Sequence, residues 1–323
     1  MSTETIEAVF RYSQSSGTEL MLIASKNQID YSGGYVNGWT TDQYGSFINY
    51  MCNQYPRSNV RICRDHCGPG FNGVMSPCDT YRTIDADIDN GFDLIHIDFC
   101  LYNGSKEQQI KESKRAIKYC LDHSDGVAIE IGTDENTGLC YSLESISDIA
   151  REVDSYGDVI CPDFFVVQTG SLVVDIRQAG SFNSPFVSAA KDMLAARGIR
   201  LKEHNADYLS KSEISKRIGV VDAMNIAPQV GVMQTGFVLN KCLAYGIDFN
   251  DFANVVYAGG KWEKWIRHDD VANRLLCVYS SGHYYFASDE YRRIIDDISR
   301  HENIHENIIE VLTSVINHYE DSY

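Results

Sequence analysis

Read for polarity alone, the chain is a series of short apolar runs separated by amphipathic stretches. The runs are ELMLIAS (19–25), NVRIC (59–63), FDLIHIDF (92–99), GVAIEIG (126–132), DFFVVQTG (163–170), IRLKEH (199–204) and AMNIAP (223–228). Each is nearly continuous in apolar residues and then turns polar, as strands buried on both faces of a parallel sheet do. The stretches SKEQQIKESKRAIKYCLDH, SLESISDIAREVDSYG and SPFVSAAKDMLAARG carry helical spacing between them. A first helix is expected from a Thr3 cap, with Ile6, Val9 and Phe10 on one face and Gly17 as its stop. Runs and helices in alternation predict an α/β fold, a (β/α)8-type TIM barrel. Seven runs are legible where the barrel needs eight, so an incomplete barrel lacking its first strand is expected. From residue 246 the pattern is mostly helical. Residues 1–323 read as one barrel domain, with 246–323 its helical C-terminal extension.

Charge narrows the partners. A net charge of −17 argues against nucleic acid and against an anionic membrane surface. No apolar run approaches the roughly 20 residues of a membrane span, and the first residues have no basic-then-apolar leader, so a cytoplasmic protein is expected. The 10 cysteines are then expected to be reduced.

The C-terminal ends of the runs collect the chemistry: Asn27 and Gln28, Asp65 and His66, Asp98, Glu130, Gln168, His204 and Asn205, Asn225. In a barrel these ends converge on one face, where active sites are built. Asp65 and His66 are read as an acid–base group beside a metal ligand, or as a capping Asp beside a hydrogen-bonded His. His204, at another strand end, strengthens the metal reading. Glu130 is a carboxylate inside an apolar run, costly unless paired or bound to metal, and Asp98 has the same standing. Asp134, Glu135 and Asn136 follow on a loop that either supplies a mobile acid–base group, Glu135 foremost, or is a solvated charge run. Adjacent strand residues point to opposite faces, so Asp65 and His66 can share one site only where the strand ends and the backbone turns, and Gly68-Pro69 is the expected place of that turn. Lys26, Arg64 and Lys202 are the nearest cations for an anionic substrate. Trp262 and Trp265 in KWEKW read as core packing.

Several stretches, in order along nearly the whole chain, resemble the accessory-type (GatZ/KbaZ-like) subunits of class II tagatose-bisphosphate aldolase. They are SKNQIDYSGGYVNGW, RDHCGP, FDLIHIDFC, IGTDENTG, VVQTGSLV, EHNADYLSKSEI, MNIAPQVG and KWEKWI. The resemblance implies a class II aldolase-like TIM barrel in which Asp65 moves the substrate proton and His66 and His204 hold a divalent metal, zinc being the expected ion. Glu130 is a further possible metal contact, and Asn225 sits near the residue that contacts the ketose. Two departures stand out. Gln168-Thr169-Gly170 replaces a further metal histidine, and Asn205-Ala206-Asp207 replaces a phosphate-binding turn.

The expectation is therefore a metal-dependent aldolase or epimerase acting on a ketose or sugar phosphate. Asn27, Gln28, Gln168, Asn205, Asp207 and Asn225 are its expected substrate contacts. The alternatives are a non-catalytic accessory subunit of an aldolase, or a sugar-binding or sugar-biosynthetic protein with a redirected site. An unpaired strand edge would favour a homo-oligomer or an aldolase partner subunit.

Overall fold

Each apolar run forms a strand in the computed structural model, which describes residues 1–134, 136–266 and 273–322. The strands are β1 (Glu19–Ser25), β2 (Asn59–Cys67), β3 (Leu94–Ile97), β4 (Ala128–Gly132), β5 (Phe164–Val166), the hairpin pair β6 (Val173–Val174) and β7 (Arg177–Gln178), then β8 (Arg200–Glu203) and β9 (Ala223–Met224). Among the described residues, seven of them make one curled parallel sheet in the order β1-β2-β3-β4-β5-β8-β9. This is the expected incomplete barrel.

Helix α1 (Thr3–Ser16) precedes the sheet. Ser2, rather than Thr3, caps it: the Ser2 hydroxyl accepts from Thr5 N at 3.1 Å, and Gly17 ends it at φ 78°. The returns between strands are α2 (Thr41–Gln54), α3 (Pro77–Asp89), α4 (Lys106–His123), α5 (Ile146–Ser155), α6 (Ser184–Ala195) and α7 (Lys211–Ser215). After the sheet come α8 (Pro228–Tyr245), α9 (Asn250–Ala258), α10 (Arg274–Ser281), α11 (Asp289–Ser299) and α12 (Ile304–Glu320). No helix among the described residues is long and apolar enough to cross a membrane.

Strand periodicity separates two layers. Ile95, Ile97, Ile129, Ile131 and Phe165 face outward and pack with Ile84, Ile117, Ile149 and Phe186 of the helices. Cys63, Leu94 and Phe164 face inward with Met21, Ile23, Ala128 and Ala223, and close the bottom of the barrel. Each fully buried Ile or Phe contributes roughly 1.5–3 kcal/mol, so these layers fix the strands firmly. Two residues further along the strands the inward positions are Asp65, His96 and Glu130, joined by Lys202 from β8. The apolar floor thus carries a polar layer directly above it.

Buried ion pairs tie strands to helices. Arg64, fully buried, donates to both Asp87 oxygens at 2.7 and 2.6 Å and to the Ile29 carbonyl at 2.6 Å. Asp87→Ala would strand that guanidinium without its carboxylate. It is expected to cost roughly 3–5 kcal/mol, seen as a lower denaturant midpoint at unchanged slope. A midpoint equal to that of the native protein would show that the pair does not anchor α3.

No strand joins β9 to β1 among the described residues. An edge there was expected to need cover from another chain. Beyond the sheet, Val238 and Leu239 of α8, Ile308 and Leu312 of α12, and Ala8 of α1 share one apolar cluster. Val315 and Tyr319 of α12 belong to a second cluster that packs against Met224 of β9.

Candidate functional site

Alternation along β2 would send Asp65 inward and His66 outward. A bulge changes this. Arg64 pairs with Ile95 and Cys67 with Ile97, so β2 advances three residues while β3 advances two. His66 absorbs the extra residue at φ 44°, in the left-handed region. The reorientation therefore happens inside the strand, before the Gly68-Pro69 turn on which the sequence reading placed it. Gly68 has another function: a Cβ there would lie 1.5 Å from the Asp98 carbonyl oxygen. Gly68→Ala is expected to push Asp98 away from His66 and to destabilise the fold by roughly 1–3 kcal/mol, the usual cost of overpacking. A thermal melt and a metal titration check the two effects, and a variant native in both would contradict the close approach.

Three imidazoles meet above the apolar floor. The ring centroids of His66, His96 and His204 are 5.1, 5.4 and 5.5 Å apart. Hydrogen bonds assign the free side of two of them. His66 Nδ1 lies 2.8 Å from Asp98 Oδ2, and Thr133 Oγ1 donates to the same oxygen at 3.0 Å. This leaves His66 Nε2 with the lone pair. His96 Nε2 lies 2.7 Å from the Gly132 carbonyl and donates to it, leaving Nδ1 as the acceptor, which the His66 backbone N–H meets at 3.3 Å. An imidazole oriented through its other ring nitrogen by a carboxylate or a carbonyl is the usual arrangement of a metal ligand.

Glu130 completes the set. Its Oε2 accepts from Lys202 Nζ at 2.5 Å, while Oε1 stands 3.3 Å from His204 Nε2 and 3.6 Å from His96 Nδ1. Donors at 2.0–2.1 Å from one tetrahedral ion are about 3.3 Å apart, so these separations fit a divalent metal. Asp65 lies at the rim, with Oδ1 3.3 Å from His96 Nδ1 and Oδ2 3.7 Å from His66 Nε2. Side-chain donors of Asp65, His66 and His204, of His66, His96 and Asp98, and of His96, Glu130 and His204 form three groups, each within 4.8 Å. Nitrogen-rich sites with one carboxylate suit zinc and its neighbours.

The electrostatics agree. Burial alone would raise the Glu130 carboxyl, but Lys202, His96 and His204 hold it down at about 2. Asp65 and Asp98 are likewise held below the carboxylate range against burial, Asp65 chiefly by His66 and Asp98 by its hydrogen bond to His66. Burial lowers His96, yet Glu130, Asp65 and Asp98 lift it to about 9. The negative potential that favours an imidazolium there also favours a metal cation. Burial lowers His204, so that imidazole is neutral at pH 7.

The other expected residues divide. Gln168 Oε1 and Asn225 Oδ1 are buried without a hydrogen-bond partner among the described residues, which leaves acceptors open to a ligand hydroxyl. Asn205, at φ 55°, faces Asp134, whose carboxyl burial raises to about 6. Gln28 turns back to accept from Ser25 N at 2.8 Å, and Asn27 is exposed. Asp207 is fully buried, and its Oδ1 accepts from Ala227 N and Gln229 N, both at 2.9 Å, at the start of α8. Glu135 lies outside the described residues. Lys26, Arg64 and Lys202 are all buried in ion pairs, with Asp79, Asp87 and Glu130 respectively, and none is free to meet an anion. Trp262 and Trp265 are buried, as expected. The residue missed from sequence is His96, which shares a face with Asp98, a carboxylate the sequence did single out.

No protein-family model matches the sequence. Among solved structures the chain is similar to a probable tagatose 6 phosphate kinase from Sinorhizobium meliloti 1021, at 15% identity over 99% of this chain and 97% of that one, with a TM-score of 0.79. It is also similar to a fructuronate-tagaturonate epimerase from Cohnella laeviribosi, at 14% identity over 99% and 80% of the two chains and a TM-score of 0.63. A fructose-bisphosphate aldolase from Campylobacter jejuni aligns at 14% identity over 99% and 88%, with a TM-score of 0.61. At these identities the likeness shows the fold alone, an α/β fold of the incomplete-barrel kind.

Proposed function

We propose that the chain is a metal-dependent aldolase or epimerase acting on a ketose or sugar phosphate. The observation that supports this most is the set of three imidazoles and Glu130 with Asp65 at its rim. His66, His96, His204 and Glu130 would hold a divalent ion, which when bound supplies Lewis acidity at a ketose carbonyl. The protein's own residues do the rest. Asp65, ionised, takes a proton, from the carbon beside the carbonyl in proton exchange or from the hydroxyl of the departing carbon in cleavage, where the carbon–carbon electron pair passes into the enediolate; the carboxyl then returns the proton to the enediolate carbon. Asp98 and the Gly132 carbonyl keep two imidazoles in one tautomer each. Gln168 and Asn225 orient the sugar hydroxyls through their open acceptors. Proton removal and carbon–carbon cleavage both pass through an enediolate, so one site serves either reaction.

The test is metal analysis of the purified protein, followed by a panel of ketoses, ketose phosphates and keto-sugar acids in deuterated water. Bound metal, with deuterium uptake or cleavage on one class, supports the reading. A metal-free, inert protein that acts only beside a second, aldolase chain would replace it with the accessory-subunit reading.

A further inference from the structure

A phosphate group on a substrate needs hydrogen-bond donors. In α/β barrels it is often received by the loops after the last two strands, at a helix N-terminus. Here those strands are β8 and β9, and the helix is α8. Its start is already filled. Asp207 is fully buried, and its Oδ1 accepts from Ala227 N and Gln229 N, both at 2.9 Å. A carboxylate of the chain itself thus holds the N–H groups that an incoming phosphate would need.

The surrounding loops keep it there. Gln178 Nε2 donates to the Asn205 and Asp207 carbonyls at 2.9 and 3.0 Å. Ala206 N donates to the Asn225 carbonyl at 3.0 Å, and Tyr208 N donates to Gln229 Oε1 at 2.7 Å. Asn205 and Tyr208, at φ 55° and 60°, bracket the carboxylate in left-handed backbone, which is uncommon outside glycine. Asp207 stands three residues past His204, so its Cα is at most about 11 Å from that of His204. The far end of a ketose whose carbonyl lies at the histidine cluster therefore extends toward it.

The open polar atoms of these loops point the same way. Asp207 Oδ2, Gln168 Oε1 and Asn225 Oδ1 are buried without a hydrogen-bond partner among the described residues. They follow β8, β5 and β9 respectively, and all three are acceptors. A phosphate dianion brings acceptors alone and leaves such atoms unpaired. Hydroxyl groups donate and satisfy them.

We propose that Asp207 determines the substrate class, excluding a phosphate or carboxylate from the far end of the site and selecting an unphosphorylated ketose whose hydroxyl donates to Asp207 Oδ2. The inference rests on the metal-dependent reading above and chooses between its two kinds of substrate.

The experiment compares D-fructose and D-tagatose with their phosphate esters and with a keto-sugar acid on the metal-loaded native protein. Burial pushes the Asp207 carboxyl up to about 7, so the comparison is made at about pH 8, where it is ionised. The free ketose is expected to show a kcat/KM at least about a hundredfold above that of either anion, because like charges meet at Asp207. Asp207→Asn keeps the Oδ1 acceptor for the helix but puts an amide donor in place of Oδ2. It is expected to raise KM for the free ketose about tenfold, with kcat, metal content and melting temperature near native. Asp207→Ala uncovers the two N–H groups and is expected to bind inorganic phosphate in the millimolar range by calorimetry at low salt, where the native protein binds none. The proposal is overturned if native protein prefers an ester or the sugar acid, if it binds phosphate as Asp207→Ala does, or if Asp207→Asn leaves KM unchanged. A native protein without metal and inert on every sugar would defeat the metal-dependent reading instead, and the phosphate titrations would still decide whether Asp207 closes the helix to anions.

Discussion

His96→Ala is expected to abolish stable metal binding, while Asp98→Asn is expected only to weaken it. His96 lies on β3 and Asp98 just past its end, two residues on, but they touch the cluster differently. His96 offers Nδ1 to the centre, 3.6 Å from Glu130 Oε1, so its loss removes a donor. Asp98 acts through His66, whose Nδ1 it holds at 2.8 Å. Loss of such an outer partner usually costs roughly 10–100-fold in affinity. The His96 variant should exceed that range. Competition with a chromophoric chelator at fixed pH measures both. Melting curves taken with and without metal guard against misfolding, since a bound ion raises stability by mass action. Equal affinities for His96→Ala and the native protein would remove His96 from the ligand set. Loss in Asp98→Asn as large as in His96→Ala would mean that the tautomer of His66 governs the site.

The strands, their order and the absence of one were legible because a parallel sheet buried on both faces leaves an unmistakable run of apolar residues. Asp65, His66 and His204 were legible because they stand where such runs end. His96 was not, since it lies within LIHID and reads as a flaw in an apolar run. Its signal was the alternation itself: Leu94, His96 and Asp98 share one face, and Leu94 belongs to the barrel floor. The resemblance points for a third imidazole to the strand end that holds Gln168, not to β3. The bulge at His66 was hidden for a different reason. It depends on a register between β2 and β3 that only the paired strands define. The cations were misjudged because sequence shows a charge without its partner. Arg64, Lys202 and Lys26 each have a carboxylate that is distant in the chain and adjacent in the fold, Asp87, Glu130 and Asp79.

Asp65→Asn is expected to keep the metal and lose turnover. The side chain is nearly isosteric, and none of the donors that would hold the ion is removed. What changes is the capacity to take a proton. Asp65 is ionised at neutral pH, because burial, which would raise its pKa, is overcome by His66, His96 and His204. A carboxylate so placed is a base, and its amide is not. A general acid–base group is worth about two to four powers of ten in rate, so proton exchange into the substrate pool should fall by that much. The distinction from a structural role lies in paired readouts. Metal content and melting temperature should match the native protein, while deuterium uptake beside the carbonyl falls in step with turnover. If Asp65→Asn exchanged protons at the native rate, the base would lie elsewhere, and Asp134, a buried carboxyl lifted to about 6 within the field of His66, would be the residue to replace next.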